Sequence, residues 1–480
     1  LIPGASARPL DAFPGGKFML TPQAILETGS RSLRTFQIAL GTTSHNMTNV
    51  QTEGYTRQRV DLEASRPLPS VPGQLGTGVL PTQVQRSRVS SFDFVVRGEL
   101  SQFGRWDLDR EVLGQVESIF GAATQGSVGS ALTAYWNGWN DVAAYPEDLG
   151  VRQALVERAA TLGEAFRSSA ARLDAQNASL NQSVSVDVDA ANGYLNEIAQ
   201  LNVAINRAEF GGNHANDLRD SRDVLLDKLS ALADLNIVEQ PNGMVDVDVG
   251  GQVLVTGPTA STLSAVLNVA TGHMEVQLGG VPLAFTSGRF QGYSSAFAAF
   301  DATRASLDQH AAALISEVNT LHTTGFDLTG SAAGVFFTGT DAATLDVSAA
   351  LKSNPALVGA SASGAPGDNG IALQLAQMRN TKTIPQPPGT PTMTLNEAHA
   401  ALVVSLGAQS RQAQELASVY GQGLQSAKDR RSAVSGVNMD EEVANLLSYQ
   451  RAYEASARVV TVVDELMDRI INHMGHVGTA

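Results

Sequence analysis

The 480-residue chain has no cysteine, which excludes disulfides, thiolate zinc sites and cysteine nucleophiles outright. Aromatic residues are scarce at 6%, while Ala and small polar residues abound, a composition that favours thin helical layers over a thick core. Basic residues are outnumbered, 32 Lys and Arg against 47 Asp and Glu. The resulting net charge of −15 opposes nucleic acid or an anionic membrane as partner, and suits solubility at high concentration. No apolar run approaches the roughly 18 residues that a membrane helix requires, so no membrane insertion is expected. Residues 1–18 lack the contiguous apolar core of a cleaved secretory signal. They read as a non-native or disordered leader, with Met19 as the native start. Such a length exceeds one compact core, so two or more domains are expected.

Catalytic patterns are missing too. There is no GxxxxGK[ST] phosphate loop, since Gly15-Gly16-Lys17 lacks the spacing, and no HExxH, GxSxG or helix-opening GxGxxG. His473 and His476 stand one turn apart, but without a third ligand helix-end solvation outweighs a metal site. Asp246 and Asp248 lack the spacing of a calcium loop and fit a strand face better. His214 and Asp217 follow two glycines, where turn chemistry is the simpler account. The Asn46 and Asn177 triplets fit a glycosylation acceptor but are too common to weigh. No catalytic residue, metal ligand or cofactor site is therefore assigned.

What is present is concentrated at the two ends. From Val437 to Gly475 an apolar stripe recurs at alternating spacings of three and four: Val443, Leu446, Gln450, Tyr453, Ala457, Val460, Asp464, Met467, Ile471 and Met474. Leu447, Val463, Leu466 and Ile470 widen it. This is an amphipathic helix with a coiled-coil-like seam, interrupted by Gln450 and Asp464 as polar positions able to set register. Asn438 caps the start, with Glu441 three residues on, and Asp440, Glu441 and Glu442 suit the positive end of the dipole. Arg469, His473 and Gly475 mark the other end. The helix would run roughly 50 Å. A second seam follows Thr21 and Pro22: Leu26, Gly29, Leu33, Phe36, Leu40, Thr43, Met47 and Val50. Neither stripe has a sequence-adjacent helix to cover it. They cover each other or the same helices of neighbouring copies, although packing on a globular body fits the spacing equally well.

Between the ends, Arg57–Leu62 and Gly78–Val89 alternate as two strands. Residues 98–234 read as helical, with one long helix carrying Val151 to Leu180 and a next one carrying Val184 to Ile205, then a helix over Leu218–Leu232. Trp136 and Trp139 are expected core anchors. From Ile237 to Tyr293 the Val-, Gly- and Thr-rich sequence alternates as a small β insert. Helix returns at Phe297, loops and short elements fill 323–394, and Thr394 with Glu397 forms a capping box for a last long helix to about Ser432. The expected fold is mainly α with a small β insert, elongated, with nested discontinuous domains and the terminal helices paired in a coiled-coil-like layer. The expected domains are 19–56 plus 436–480, terminal and axial; 57–234 plus 294–435, a helical rod with short strands; and 235–293, the insert. No repeat of 20–50 residues is apparent.

Two motifs carry a resemblance. The run Thr42-Thr-Ser44-His45-Asn46-Met-Thr-Asn49-Val-Gln-Thr52-Glu-Gly54-Tyr55-Thr-Arg57-Gln58 resembles the N-terminal signature of flagellar rod, hook and hook-associated proteins. The run Ser435 to Glu442, followed by Leu446 to Val459, is similar to that family's closing helix. The Ser-His-Asn and Gly-Tyr-Thr-Arg-Gln forms resemble the hook-associated protein 1 branch more than rod or hook subunits, and Ala215 to Leu229 resembles the helix before that branch's β region. Thr48 stands where Ala is commoner, and Glu53 where Pro is.

The resemblance implies a structural subunit of the bacterial flagellum at the junction between hook and filament. It implies export unfolded through the flagellar type III apparatus, with a dedicated chaperone, to an extracellular site without a cleaved signal. It implies as partners copies of itself, hook subunits and the next hook-associated protein, with terminal segments that become helical on assembly. Two stripes that gain burial only with partners agree with ordering coupled to assembly. Rival readings are another axial subunit of rod or hook, a wall-degrading enzyme on an axial scaffold, and a helical adhesin.

Overall fold

The computed structural model describes residues 21–69, 73–120, 127–386 and 390–473. The leader, the start at Met19, and Met474, Gly475 and His476 lie outside the described residues.

The first helix, α1 (Pro22–Thr48), starts where the Thr21 hydroxyl accepts the Ala24 N–H at 3.3 Å, and Pro22 occupies the first turn. It is followed by β1 (Gln58–Ala64), the short pair β2 (Leu68–Pro69) and β3 (Gln74–Leu75), and β4 (Val79–Arg86). Strands β1 and β4 pair antiparallel, Gln58 opposite Arg86, as the alternation suggests.

Four helices come next: α2 (Ser90–Phe120), α3 (Val128–Ala144), α4 (Leu149–Glu209) and α5 (Asn216–Leu232). Helix α4 corrects the expectation of two helices split between Leu180 and Val184, since it continues for 61 residues, about 90 Å. No Gly or Pro falls between Leu180 and Val184, where the break was expected. The Ser183 and Ser185 hydroxyls donate back to the carbonyls of Ser179 and Asn181 on the same helix. The buried face runs on through Leu180, Val184 and Val188.

The β insert is two small antiparallel meanders. One holds β5 (Asn236–Glu239), β6 (Val245–Val249), β7 (Gln252–Thr256) and β8 (Thr259–Ala260) in that order. The other holds β9 (Leu263–Asn268), β10 (His273–Leu278) and β11 (Val281–Pro282). Gly250-Gly251 and Gly279-Gly280 close two hairpins with φ of 55° and 79°, and of 59° and 84°, the left-handed values that two-residue turns demand.

Helix α6 (Gly288–His322) starts nine residues before the expected Phe297. A Cβ at Gly288 would sit 2.4 Å from the Leu232 carbonyl oxygen, so this glycine allows the helix to begin against the end of α5. Short elements follow: β12 (Phe337–Thr338), β13 (Asp346–Val347), α7 (Ala349–Ser353), α8 (Gly370–Gln377), β14 (Ile384–Gln386) and β15 (Thr390–Met393). The capping box opens α9 (Leu395–Ser435): Glu397 N–H donates to the Thr394 hydroxyl, and Thr394 N–H to the Glu397 carboxylate. The last helix is α10 (Met439–His473).

The main core gathers on α3, α4 and α6. Trp136 and Trp139 are wholly buried, with the Trp139 ring 5.4 Å from Phe336 and that of Tyr135 5.5 Å from Phe337. Outside this core the chain pairs first with last. Helix α2 runs antiparallel to α9, with Phe103 against Gly421 and Glu117 against Gly407. Helix α1 runs antiparallel to α10.

Candidate functional site

The terminal pair meets the rod at a polar latch built on Asn46, in the last turns of α1. Its buried amide is fully used. Oδ1 accepts from the Tyr55 hydroxyl at 2.8 Å and from Gln58 N–H at 2.9 Å. Nδ2 donates to the Gln58 carbonyl at 2.8 Å and to Glu442 on α10 at 3.0 Å. Glu442 is 2% exposed and takes a second bond from Arg57 Nε at 2.8 Å, while the other end of Arg57 reaches Glu441 at 2.7 Å. Arg57 N–H also donates to the carbonyl of Ser435, the last residue of α9, so the loop after α1 grips the end of α9 just before α10.

That loop explains most of the motif. Asn49 Nδ2 donates to the His45 carbonyl at 3.0 Å and ends α1, and the Thr52 hydroxyl donates to Asn49 Oδ1 at 3.1 Å. Gly54 has φ 76°, and a Cβ there would lie 2.1 Å from Val224 on α5, so no other residue fits. His45 meets the edge of Tyr55 with ring centres 5.4 Å apart, and its Nε2 lies 3.3 Å from Asp217. Ser44 is exposed and takes no part in the cluster.

Below the latch, α5 presents Asp217, Asp220, Asp223 and Asp227, spaced to share one helix face. Thr56 N–H and Arg86 bind Asp220; Arg86, Arg88 and Arg97 converge on Asp223; Arg97 and Arg431 bind Asp227. Burial alone would raise the Asp223 carboxyl, but Arg88, then Arg86 and Arg97, hold it at about 2. At Asp220 burial outweighs Arg86 and the pKa is raised. Burial, with Asp217, Asp220 and Glu442 nearby, raises the Tyr55 phenol, which keeps it a donor to Asn46. The carboxylate spacing on α5 was a readable signal. Its arginine partners, drawn from β4, α2 and α9, were not.

Above the latch α1 covers part of α10. The covered residues recur every seven: Glu442, Tyr449, Ser456 and Val463. The rings of Phe36 and Tyr449 lie 6.5 Å apart, and Gly29 sits where a Cβ would come 2.7 Å from Val460. Of the expected seam, Leu26, Leu33, Phe36, Leu40 and Met47 on α1, and Leu446, Ala457, Val460 and Met467 on α10, are half-buried. Val50 lies in the loop, beyond the end of α1, and is exposed. Val443, Gln450, Tyr453 and Ile471 are exposed as well. Gln450 donates to Glu454 on its own helix at 3.4 Å, so neither it nor exposed Asp464 faces α1. A flank of Leu447, Val459, Val462, Leu466 and Ile470 is left uncovered alongside.

The other candidates take structural partners. His214 Nε2 lies 3.0 Å from Gln83 Oε1, and Asp217 accepts from Gln58 Nε2 at 2.7 Å. Asp246 accepts Gly257 N–H at 2.9 Å, and Asp248 accepts Asn236 Nδ2 at 2.7 Å. Among the described residues no three His, Asp or Glu side chains are grouped to hold a metal ion, and no helix is long and apolar enough to cross a membrane.

Residues 113–337 match the family model described as the helical domain of flagellar hook-associated protein FlgK. Residues 431–473 match that of the C-terminal segment of flagellar basal body rod FlgEFG proteins. The chain is 29% identical over 499 residues to flagellar hook-associated protein 1 of Bacillus subtilis, covering 94% of this chain and 98% of that protein. It is 24% identical over 561 residues to the protein of the same name in Escherichia coli, covering 94% and 99%. The flagellar hook junction protein FlgK from Burkholderia pseudomallei superposes with a TM-score of 0.61 over 71% of this chain and 100% of that one; at 18% identity this is a likeness of fold.

Proposed function

Since the chain belongs to the flagellar hook-associated protein family, we propose that it is the non-enzymatic structural subunit at the junction of hook and filament, and that it self-assembles through its terminal helices. The observation that carries the mode of assembly is the uncovered apolar flank of α10. After α1 has paired, Leu447, Val459, Val462, Leu466 and Ile470 still face solvent. Fully burying an exposed side chain of this size contributes about 1.5–3 kcal/mol, and these five keep about half of their surface exposed, so a neighbouring copy laid along the stripe gains roughly half of that at each.

The reading extends to the seam residues Val443, Gln450, Tyr453 and Ile471, left free for the same neighbour, and to the division into terminal, rod and insert domains at 57, 235, 294 and 436. It also places the protein outside the cell, delivered by the flagellar export apparatus with a chaperone, between hook subunits and the next hook-associated protein. These finer partners follow from family membership. The match of 431–473 to rod proteins keeps another axial subunit as the second reading. The match of 113–337 to the hook-associated helical domain favours the first.

Deleting the gene tests this directly. Complete hooks without filaments, and filament subunit shed into the medium, are expected. Normal filaments on the deletion strain would sink the junction role, and missing hooks would favour the rod or hook reading.

A further inference from the structure

Three asparagines on α4 reach out of the helix and bind the backbone of the β insert. Asn192 Nδ2 donates to the Leu263 carbonyl at 2.9 Å, and Asn192 Oδ1 accepts Leu263 N–H at 2.8 Å. Asn202 does the same to Val245, at 2.8 and 3.0 Å. Asn181 donates to the Gly272 carbonyl at 2.9 Å and accepts Met274 N–H at 2.7 Å. Each side-chain amide thus offers a strand the donor and acceptor that another strand would offer. Asn202, wholly buried, also donates to the Gly257 carbonyl at 2.8 Å and accepts Arg222 from α5 at 3.0 Å, so both of its donors and both of its lone pairs are in use.

The three lie eleven and ten residues apart, close to three helical turns each, and so on one face of α4, each about 16 Å from the next. They touch three separate places: the start of β6, the start of β9 and the approach to β10. Apolar contacts from Val247, Val249, Leu263 and Val276 also bury the insert, but such contacts tolerate sliding. The amides do not. A shift of one turn along α4 would break all seven backbone bonds and leave N–H and C=O groups of the insert unpaired.

We infer that Asn181, Asn192 and Asn202 are positioning residues that lock the insert to α4 in one register, making it a fixed projection of the rod. This holds whichever axial position the protein occupies.

The absence of cysteine allows a clean test on the full chain. Val186 on α4 and Val269 beyond β9 are both exposed, and Val186→Cys with Val269→Cys accepts a pair of spin labels. The labelled parent gives one narrow distance distribution. Asn192→Asp keeps the side-chain shape but replaces the donor to Leu263 with a charged carboxylate oxygen that repels the carbonyl; it is expected to widen the distribution about two-fold with helical circular dichroism retained. Adding Asn181→Ala widens it further. A broad parent distribution, or widths unchanged in both variants, overturns the inference. So does widening that appears only together with loss of helical signal, which would make these residues general stabilisers.

Discussion

Glu442 and Asn46 lie 396 residues apart in sequence and 3.0 Å apart in space, joined by a hydrogen bond from the asparagine amide to the glutamate carboxylate. This bond closes the chain on itself where the terminal helices leave the rod. Glu442→Ala strips an acceptor from both Asn46 and Arg57. The expected cost is about 1–3 kcal/mol, confined to the terminal pair. Amide exchange in the first turns of α10 should quicken about ten-fold or more, while the rod's melting midpoint stays put. Unaltered protection in α10 would show that the latch does not hold it.

Gly29 on α1 lies against Val460 on α10, where an added Cβ would come 2.7 Å from the valine side chain. Gly29→Ala gains up to about 1 kcal/mol of helix propensity but forces Val460 aside, at about 1–3 kcal/mol. A net loosening of the pair is expected. Val460→Ala added to it should restore much of the loss, and a double-mutant cycle measures the coupling. Additive effects would mean that the two residues do not touch.

Val462 and Leu466 are exposed on the flank that α1 leaves uncovered. Val462→Asp with Leu466→Glu should leave the monomer's stability within about 0.5 kcal/mol per site. Assembly, read as filament growth in a complemented deletion strain, should fail. Gln450→Leu is likewise expected to leave the monomer folded but to alter assembly fidelity. Normal filaments with the acidic pair would remove this flank from the interface.

Acidification should destabilise the rod. His310 is buried, with His399 beside it, and sits at about 4; burial also takes His322 to about 4, with Arg152 adding and the Gly334 contact opposing. Between about 6.5 and 4 the unfolded chain binds protons that these folded histidines refuse, so each removes about 1.4 kcal/mol per pH unit as pH falls. Asp109, raised to about 7 by burial against Arg105, acts in the opposite sense: its stabilisation is full below about 3.8 and is lost as pH rises through 7. Two histidines outweigh one carboxyl, and urea midpoints should fall from pH 6.5 to 4.5. His322 Nδ1 donates to the Gly334 carbonyl and Nε2 accepts Gly359 N–H. His322→Gln can offer similar groups without titrating and should flatten the slope; an unchanged slope would clear His322.

The two terminal stripes were legible because an amphipathic helix repeats its message over many turns. Of the expected α10 seam, Leu446, Ala457, Val460 and Met467 are half-buried, while Ser456 and Glu442, which look like solvent positions, are covered as well. Val443, one place on, looks more like core and is exposed. The latch was half visible: its motif residues stood out as a run, whereas Glu442, Arg86, Arg88 and Arg97 gain meaning only when four elements converge. The continuity of α4 was hidden by its serines and aspartates near 183–189, which lower helix propensity without breaking the helix. Asn202 did carry a signal, lying next to the apolar positions Ile198, Leu201 and Ile205, where a polar residue calls for a partner.

The joining of residue 46 to residue 442 means that the terminal pair closes only after residue 442 has been made. During synthesis α1 emerges first and stays an open half-site through nearly four hundred residues, with Asn46 waiting for a carboxylate not yet made. Loss of the last forty residues leaves a molecule with a whole core and no closed end. The clasp therefore works as a test of completeness: under the proposed mode of assembly, a copy that ends before Glu442 lacks both the partner of Asn46 and the flank on which a neighbour would be laid.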